Sequence, residues 1–107
     1  MSGYVLIESG DPFESKSVER HYGLAAALAM EGHEVMLVLV QNGVLAARSG
    51  VRTCFEALAQ AGVSLLADEF SLRERGLEVS SLAPGVVAAP LDVVIDRLAK
   101  GWKALWL

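Results

Sequence analysis

One thiol, two imidazoles and a handful of loop hydroxyls are the side chains here whose chemistry could go beyond packing. The thiol is Cys54, in "VRTCFEALAQAG", three residues after Val51 and beside Phe55, so it borders the apolar stripe of a predicted helix. A lone cysteine in such a place reads as a small core hydrophobe. If it faces solvent, Arg48 and Arg52 are near enough in sequence to lower its pKa and make it a nucleophile. His21 and His33 lie twelve residues apart, on a predicted helix and on the turn after it. That is no metal-ligand spacing, so no metal is expected. A solvated helix face is the expectation for His21 and an ordinary turn hydrogen bond for His33. With one cysteine, an intramolecular disulfide and a cysteine-based metal cluster are both excluded.

Ser9, Gly10, Ser15 and Ser17 fall in a loop ahead of a helix N-terminus, where backbone N–H groups can meet an anion. Asn42 and Gly43 form a turn after a predicted strand, and open α/β sheets bind ligands at the carboxyl ends of their strands. Together these six residues are the candidate pocket or anion site. The loop "GDPFESKS" lacks the paired glycines and the Gly-Lys-Ser/Thr ending of a phosphate loop. No Gly-x-Ser-x-Gly elbow is present either. Asp68 stands between a short apolar strand and a short helix, where a carboxylate reads first as a helix N-cap.

The elements that would position these residues alternate. "GYVLIES" (3 to 9) is an apolar run ending at Gly10, the first strand. Val18, Tyr22, Ala25 and Ala29 recur at helical spacing from Ser17, and Gly32 stops that helix. Val35 to Val40 is apolar without alternation, as in a strand buried on both faces of a parallel sheet. "QNGVLAARSG" reads as a turn with at most one helical turn. Val51, Phe55, Leu58 and Ala59 mark a helix ended by Gly62, "VSLLA" is a third strand, and "DEFSLRERG" is a short helix. Residues 77 to 89 read as a short extended piece and a Pro-Gly turn. Pro90 suits the first turn of a last helix whose apolar stripe is Leu91, Val94, Ile95 and Leu98, ended by Gly101. "WKALWL" closes the chain as a strand, with Trp102, Ala104 and Trp106 on one face. The two tryptophans pack on the last helix, make a subunit contact, or both. This alternation predicts an α/β fold, three-layer α/β/α with a mainly parallel sheet of about five strands, in one domain spanning residues 1–107.

The chain is 53% hydrophobic over 107 residues, with a net charge of −4. So much apolar surface on so short a chain predicts burial between subunits, hence an oligomer. Nine basic residues without a cluster give little support for binding a phosphate backbone, so no direct nucleic acid contact is expected. No uninterrupted apolar run approaches the roughly 18 to 20 residues of a membrane span. The opening "MSGYVLIESGD" has no basic region and carries Glu8 and Asp11 straight after its apolar stretch, unlike a signal peptide. A cytoplasmic protein is the expectation.

Three stretches in order resemble the DsrE/DsrF/DsrH family, which includes the TusBCD-type sulfur-relay proteins. They are the opening strand with Gly10, Pro12, a helix and "EGHEV" (31 to 35); "LVLVQNGVLAA" (37 to 47); and "AGVSLLADEFSLRERGL" (61 to 77), closing with Arg75-Gly76. The resemblance implies a trimer or hexamer, as a homo-oligomer or a hetero-oligomer with DsrE-like paralogues. It also implies a sulfur-carrier protein as partner, no cofactor, and transfer of sulfane sulfur as a cysteine persulfide. The family's cysteine falls at the end of the third strand, where this chain has Asp68. A carboxylate keeps the negative charge of a thiolate and can accept the first-turn amides, but it cannot form a persulfide. The expectation is therefore a structural or partner-binding subunit of a sulfur-relay assembly rather than an enzyme. The alternatives are a sulfur carrier or sulfurtransferase acting through Cys54, and a small-ligand or anion-binding module.

Overall fold

The computed structural model describes residues 2–51 and 54–107. Five strands form one sheet: β1 (Gly3–Glu8), β2 (Glu34–Leu39), β3 (Ser64–Asp68), β4 (Val86–Ala89) and β5 (Lys103–Trp106). Their order across the sheet is β4-β3-β2-β1-β5, and every pairing is parallel. Four α-helices connect them: α1 (Ser17–Met30), α2 (Phe55–Gln60), α3 (Glu69–Glu74) and α4 (Asp92–Ala99). A 3-10 segment, Gln41–Ala47, follows β2.

Strand periodicity divides the core in two. Leu6, Leu37, Leu39, Leu65 and Ala67 point to one face, where Val18, Tyr22 and Ala25 of α1, Phe55 and Leu58 of α2, and Leu72 of α3 cover them. Val5, Ile7, Met36, Val38 and Val40 point to the other face and meet Val94 of α4, with Val93 and Trp102 alongside. Both faces of β2 are thus buried, which is why its apolar run does not alternate. The second face has thinner cover. Val87 shares that side with Leu66 across the β3–β4 register, and it is exposed.

The expected fold class therefore holds: a parallel five-stranded sheet between helical layers. Several boundaries differ. The helix expected from Val51 begins at Phe55, with Cys54 as its N-cap residue. Ala59 of the predicted stripe is exposed, and Arg52 lies outside the described residues. Residues 77 to 89 hold a 3-10 turn at Val79–Ser81 and the edge strand β4. "QNGVLAA" is a continuous 3-10 segment with Gly43, Val44, Ala46 and Ala47 buried. On α4 only Val94 of the expected stripe is buried; Leu91, Ile95 and Leu98 are exposed. Trp102 stacks under Arg97 and closes over Gly3, where a Cβ would collide with its ring. Trp106, on the same side, is 68% exposed, so core packing fails for it.

Candidate functional site

At the carboxyl end of the sheet, three consecutive strand ends are tied together by hydrogen bonds. The Val40 N–H donates to the Glu8 carbonyl at 3.0 Å, and the Gly43 N–H donates to the Val40 carbonyl at 2.9 Å. Gly43 passes so close to the Glu8 carbonyl that a Cβ there would collide with it, so glycine is required on steric grounds. Between them, Gln41 takes a left-handed conformation with φ of 51°. That conformation costs a non-glycine residue about 1–2 kcal/mol. It directs the Gln41 N–H to the Ser71 Oγ at 2.8 Å. The Ser71 hydroxyl in turn donates to Asp68 Oδ2 at 2.7 Å, and the Ser71 backbone N–H donates to the same oxygen at 3.0 Å.

Asp68 is thus the N-cap of α3, at the strand-to-helix junction read from the sequence, and it is 4% exposed. It also lines a pocket of about 390 Å³ on the α4 side of the sheet. The walls are apolar: Ile7 and Val40 from the strands, Phe70 from α3, Leu91, Val94 and Ile95 at α4, and Trp106 from β5. Among the described residues its ionisable side chains are two acids, Asp68 and Glu74, and no sulfur atom lines it. Such a site can accept hydrogen bonds or hold a cation. It has no nucleophilic thiol.

Cys54 is elsewhere. It is exposed and lines a groove of about 840 Å³ with Phe13, Glu19, Tyr22, Met30, Ala57 and other residues, none shared with the Asp68 pocket. The expectation of a buried core cysteine fails, because α2 starts one residue after it. The acidification expected of an exposed thiol fails too. Partial burial pushes the thiol pKa above its ordinary value, against a lowering by a backbone hydrogen bond, and the Glu19 carboxylate adds to the rise. Arg48 is held by other partners, its Nε donating to the Leu45 carbonyl and its guanidinium lying over the Phe13 ring.

The other candidate residues are scattered. Gly10 donates its N–H to Glu8 Oε2 at 3.1 Å, so that donor faces a carboxylate. Ser15 and Ser17 hydrogen-bond each other through their hydroxyls at 2.8 Å. Asn42 Oδ1 accepts from Arg75 Nε at 3.1 Å, and Gly43 serves the close approach to Glu8. Ser9 is half-buried after β1. None of the six lines either pocket.

His21 is not on a solvated face. Its Nδ1 lies 2.5 Å from Oε1 of Glu8, a carboxylate 1% exposed at the end of β1. A buried carboxylate needs such a partner, since desolvation without one costs several kcal/mol. The pairing was invisible in sequence because its two halves sit thirteen residues apart in different elements. The one available signal was an acid at the end of an apolar strand. Next to it, the buried Tyr22 hydroxyl has no hydrogen-bond partner among the described residues. Burial first, and the Glu8 charge second, raise its pKa well above the ordinary tyrosine value. His33 makes an edge contact with the Tyr4 ring, and its Nδ1 is buried without a partner among the described residues. No group of side chains able to hold a metal occurs among the described residues. Nor is any described helix long and apolar enough to cross a membrane.

The same architecture occurs in solved structures. The ychN protein from E. coli superposes with a TM-score of 0.86 at 23% identity, covering all of both chains. MTH1491 from Methanobacterium thermoautotrophicum, titled a protein of unknown function, gives 0.85 at 20% identity, again over all of both chains. BT1422 from Bacteroides thetaiotaomicron gives 0.79 at 18% identity, over 99% of this chain and 95% of that one. No curated protein matches the chain. At these identities the likeness shows a shared fold. The sequence match goes further, since the model of the DsrE/DsrF-like family spans residues 2–107. The chain belongs to the DsrE/DsrF-like family.

Proposed function

We propose that this protein is a non-transferring member of a sulfur-relay assembly, a structural or partner-binding subunit rather than a sulfur carrier. The observation that carries the reading is Asp68. It caps the helix at the junction where the family resemblance puts the reactive cysteine, and the pocket there contains no thiol. Asp68 keeps the anion and the first-turn hydrogen bonds, so the scaffold survives while the sulfur chemistry is lost. A cytoplasmic setting and a sulfur-carrier protein as partner belong to the same reading. So does assembly as a trimer or hexamer, with itself or with DsrE-like paralogues. Leu98 of α4 and Val87 of β4, both exposed and outside the Asp68 pocket, support assembly.

Incubating the protein with a persulfide donor and weighing it intact tests the reading. No sulfur adduct is expected, and an adduct mapped to Cys54 would overturn it. The exposure of Cys54 is the one observation favouring the second reading, a sulfurtransferase acting through that thiol. Its raised pKa counts against that, because the thiolate is the form that attacks.

A further inference from the structure

We propose that the pocket at the carboxyl end of the sheet binds a small apolar molecule carrying a protonated amine, with the ammonium seated on Asp68. This goes beyond the relay reading, because it rests on the pocket alone and holds whether or not the chain joins a relay.

The case starts from the two oxygens of one carboxylate. Oδ2 of Asp68 is satisfied, accepting both the N–H and the hydroxyl of Ser71. Oδ1 receives no hydrogen bond from the described residues, although the side chain is 4% exposed and lines the cavity. That oxygen opens into a largely apolar cavity, where it takes its donor from whatever fills the space, and a charged donor makes the stronger bond. Among the described residues the lining offers no charged donor: its other polar side chains are Gln41, Ser71 and a second acid, Glu74. Two acids and no base disfavour an anionic ligand and favour a cationic one.

The rest of the cavity selects the body of the ligand. Leu91, Val94 and Ile95 form an aliphatic wall, while Phe70 and Trp106 present aromatic surface that can attract a cation as well as an alkyl chain. A volume of about 390 Å³ sits within the small-molecule range of roughly 300–1,000 Å³. The receptor is also stiff. Asp68 is locked as a helix cap, and Ser71 is held from behind by the Gln41 N–H, so little ordering is needed on binding.

The test uses the intact protein at neutral pH and three probes of one chain length: hexylamine, hexanol and hexanoate. Binding is followed by amide chemical shifts. Hexylamine is expected to shift the amides of Gln41 and of Asp68 to Ser71 saturably. Hexanol should shift the same amides with about tenfold weaker affinity, the difference between a charged and a neutral hydrogen bond. Hexanoate should leave them in place. Asp68→Asn keeps an equally good helix cap but removes the charge. It is expected to cost hexylamine about tenfold in affinity and leave hexanol nearly unchanged, so hexanol also reports that the pocket is intact. The proposal is overturned if hexanoate binds as well as hexylamine, if hexylamine gives no saturable shift, or if Asp68→Asn binds both amine and alcohol as before.

Discussion

Glu8 and His21 show how one pair of residues holds the start of the sheet together. Glu8 ends β1 facing the α1 side, and without His21 its carboxylate would keep only the Gly10 N–H inside a buried site. Breaking a fully buried pair costs about 3–5 kcal/mol. His21 is 27% exposed at its side chain, so water can enter in its place and screen part of that loss. His21→Ala is therefore expected to lose about 1–3 kcal/mol in urea unfolding. Glu8→Gln in the same background should recover part of it, and a change below about 0.5 kcal/mol would contradict the pairing. Cys54 supplies a second prediction at this scale. Because its pKa lies above the ordinary 9.0, the thiol stays protonated through neutral pH. Alkylation by iodoacetamide in the folded protein should be slower at pH 8 than for the unfolded chain. Its rate should rise through a midpoint above that of free cysteine. A faster native reaction, with a midpoint below the ordinary value, would restore Cys54 as a nucleophile.

Among the elements, those with an apolar face turned to the core were readable and those that face elsewhere were not. β1, β2 and α1 follow from their apolar runs and from the spacing of Val18, Tyr22 and Ala25, all of which are buried. The junction at Asp68 was readable because an acid between an apolar strand and a short helix has one common local use, the N-cap. β4 was not readable. "VVAA" is four residues of an edge strand after a Pro-Gly turn, too short to show a period. The 3-10 segment after β2 was underestimated because its hold is tertiary: the close approach of Gly43 to Glu8 and the bond from Gln41 to Ser71. α4 misled differently. Its periodic stripe is real, but Leu91, Ile95 and Leu98 face outward, and Ile95 is 66% exposed. Leu98, on the part of that stripe outside the Asp68 pocket, is expected to be buried against another subunit. Leu98→Asp should convert an assembled protein to monomers in native mass spectrometry while leaving the fold intact. A wild-type protein that is monomeric at micromolar concentration would contradict this.

Across the whole molecule, the parallel sheet brings the ends of β1, β2 and β3 together at its carboxyl end and puts the lone thiol in a separate groove beside α1 and α2. The fold class was legible from strand–helix alternation. The separation of Cys54 from Asp68 was not, because it depends on which face of the sheet each connection crosses. The most direct measurement compares the wild type with an Asp68→Cys variant, each incubated with a persulfide donor and weighed under native conditions. In the variant, a thiol replaces the carboxylate at the helix N-cap. The account predicts one added sulfur on the variant, mapped to residue 68, and none on the wild type. An added sulfur on wild-type Cys54 would contradict it.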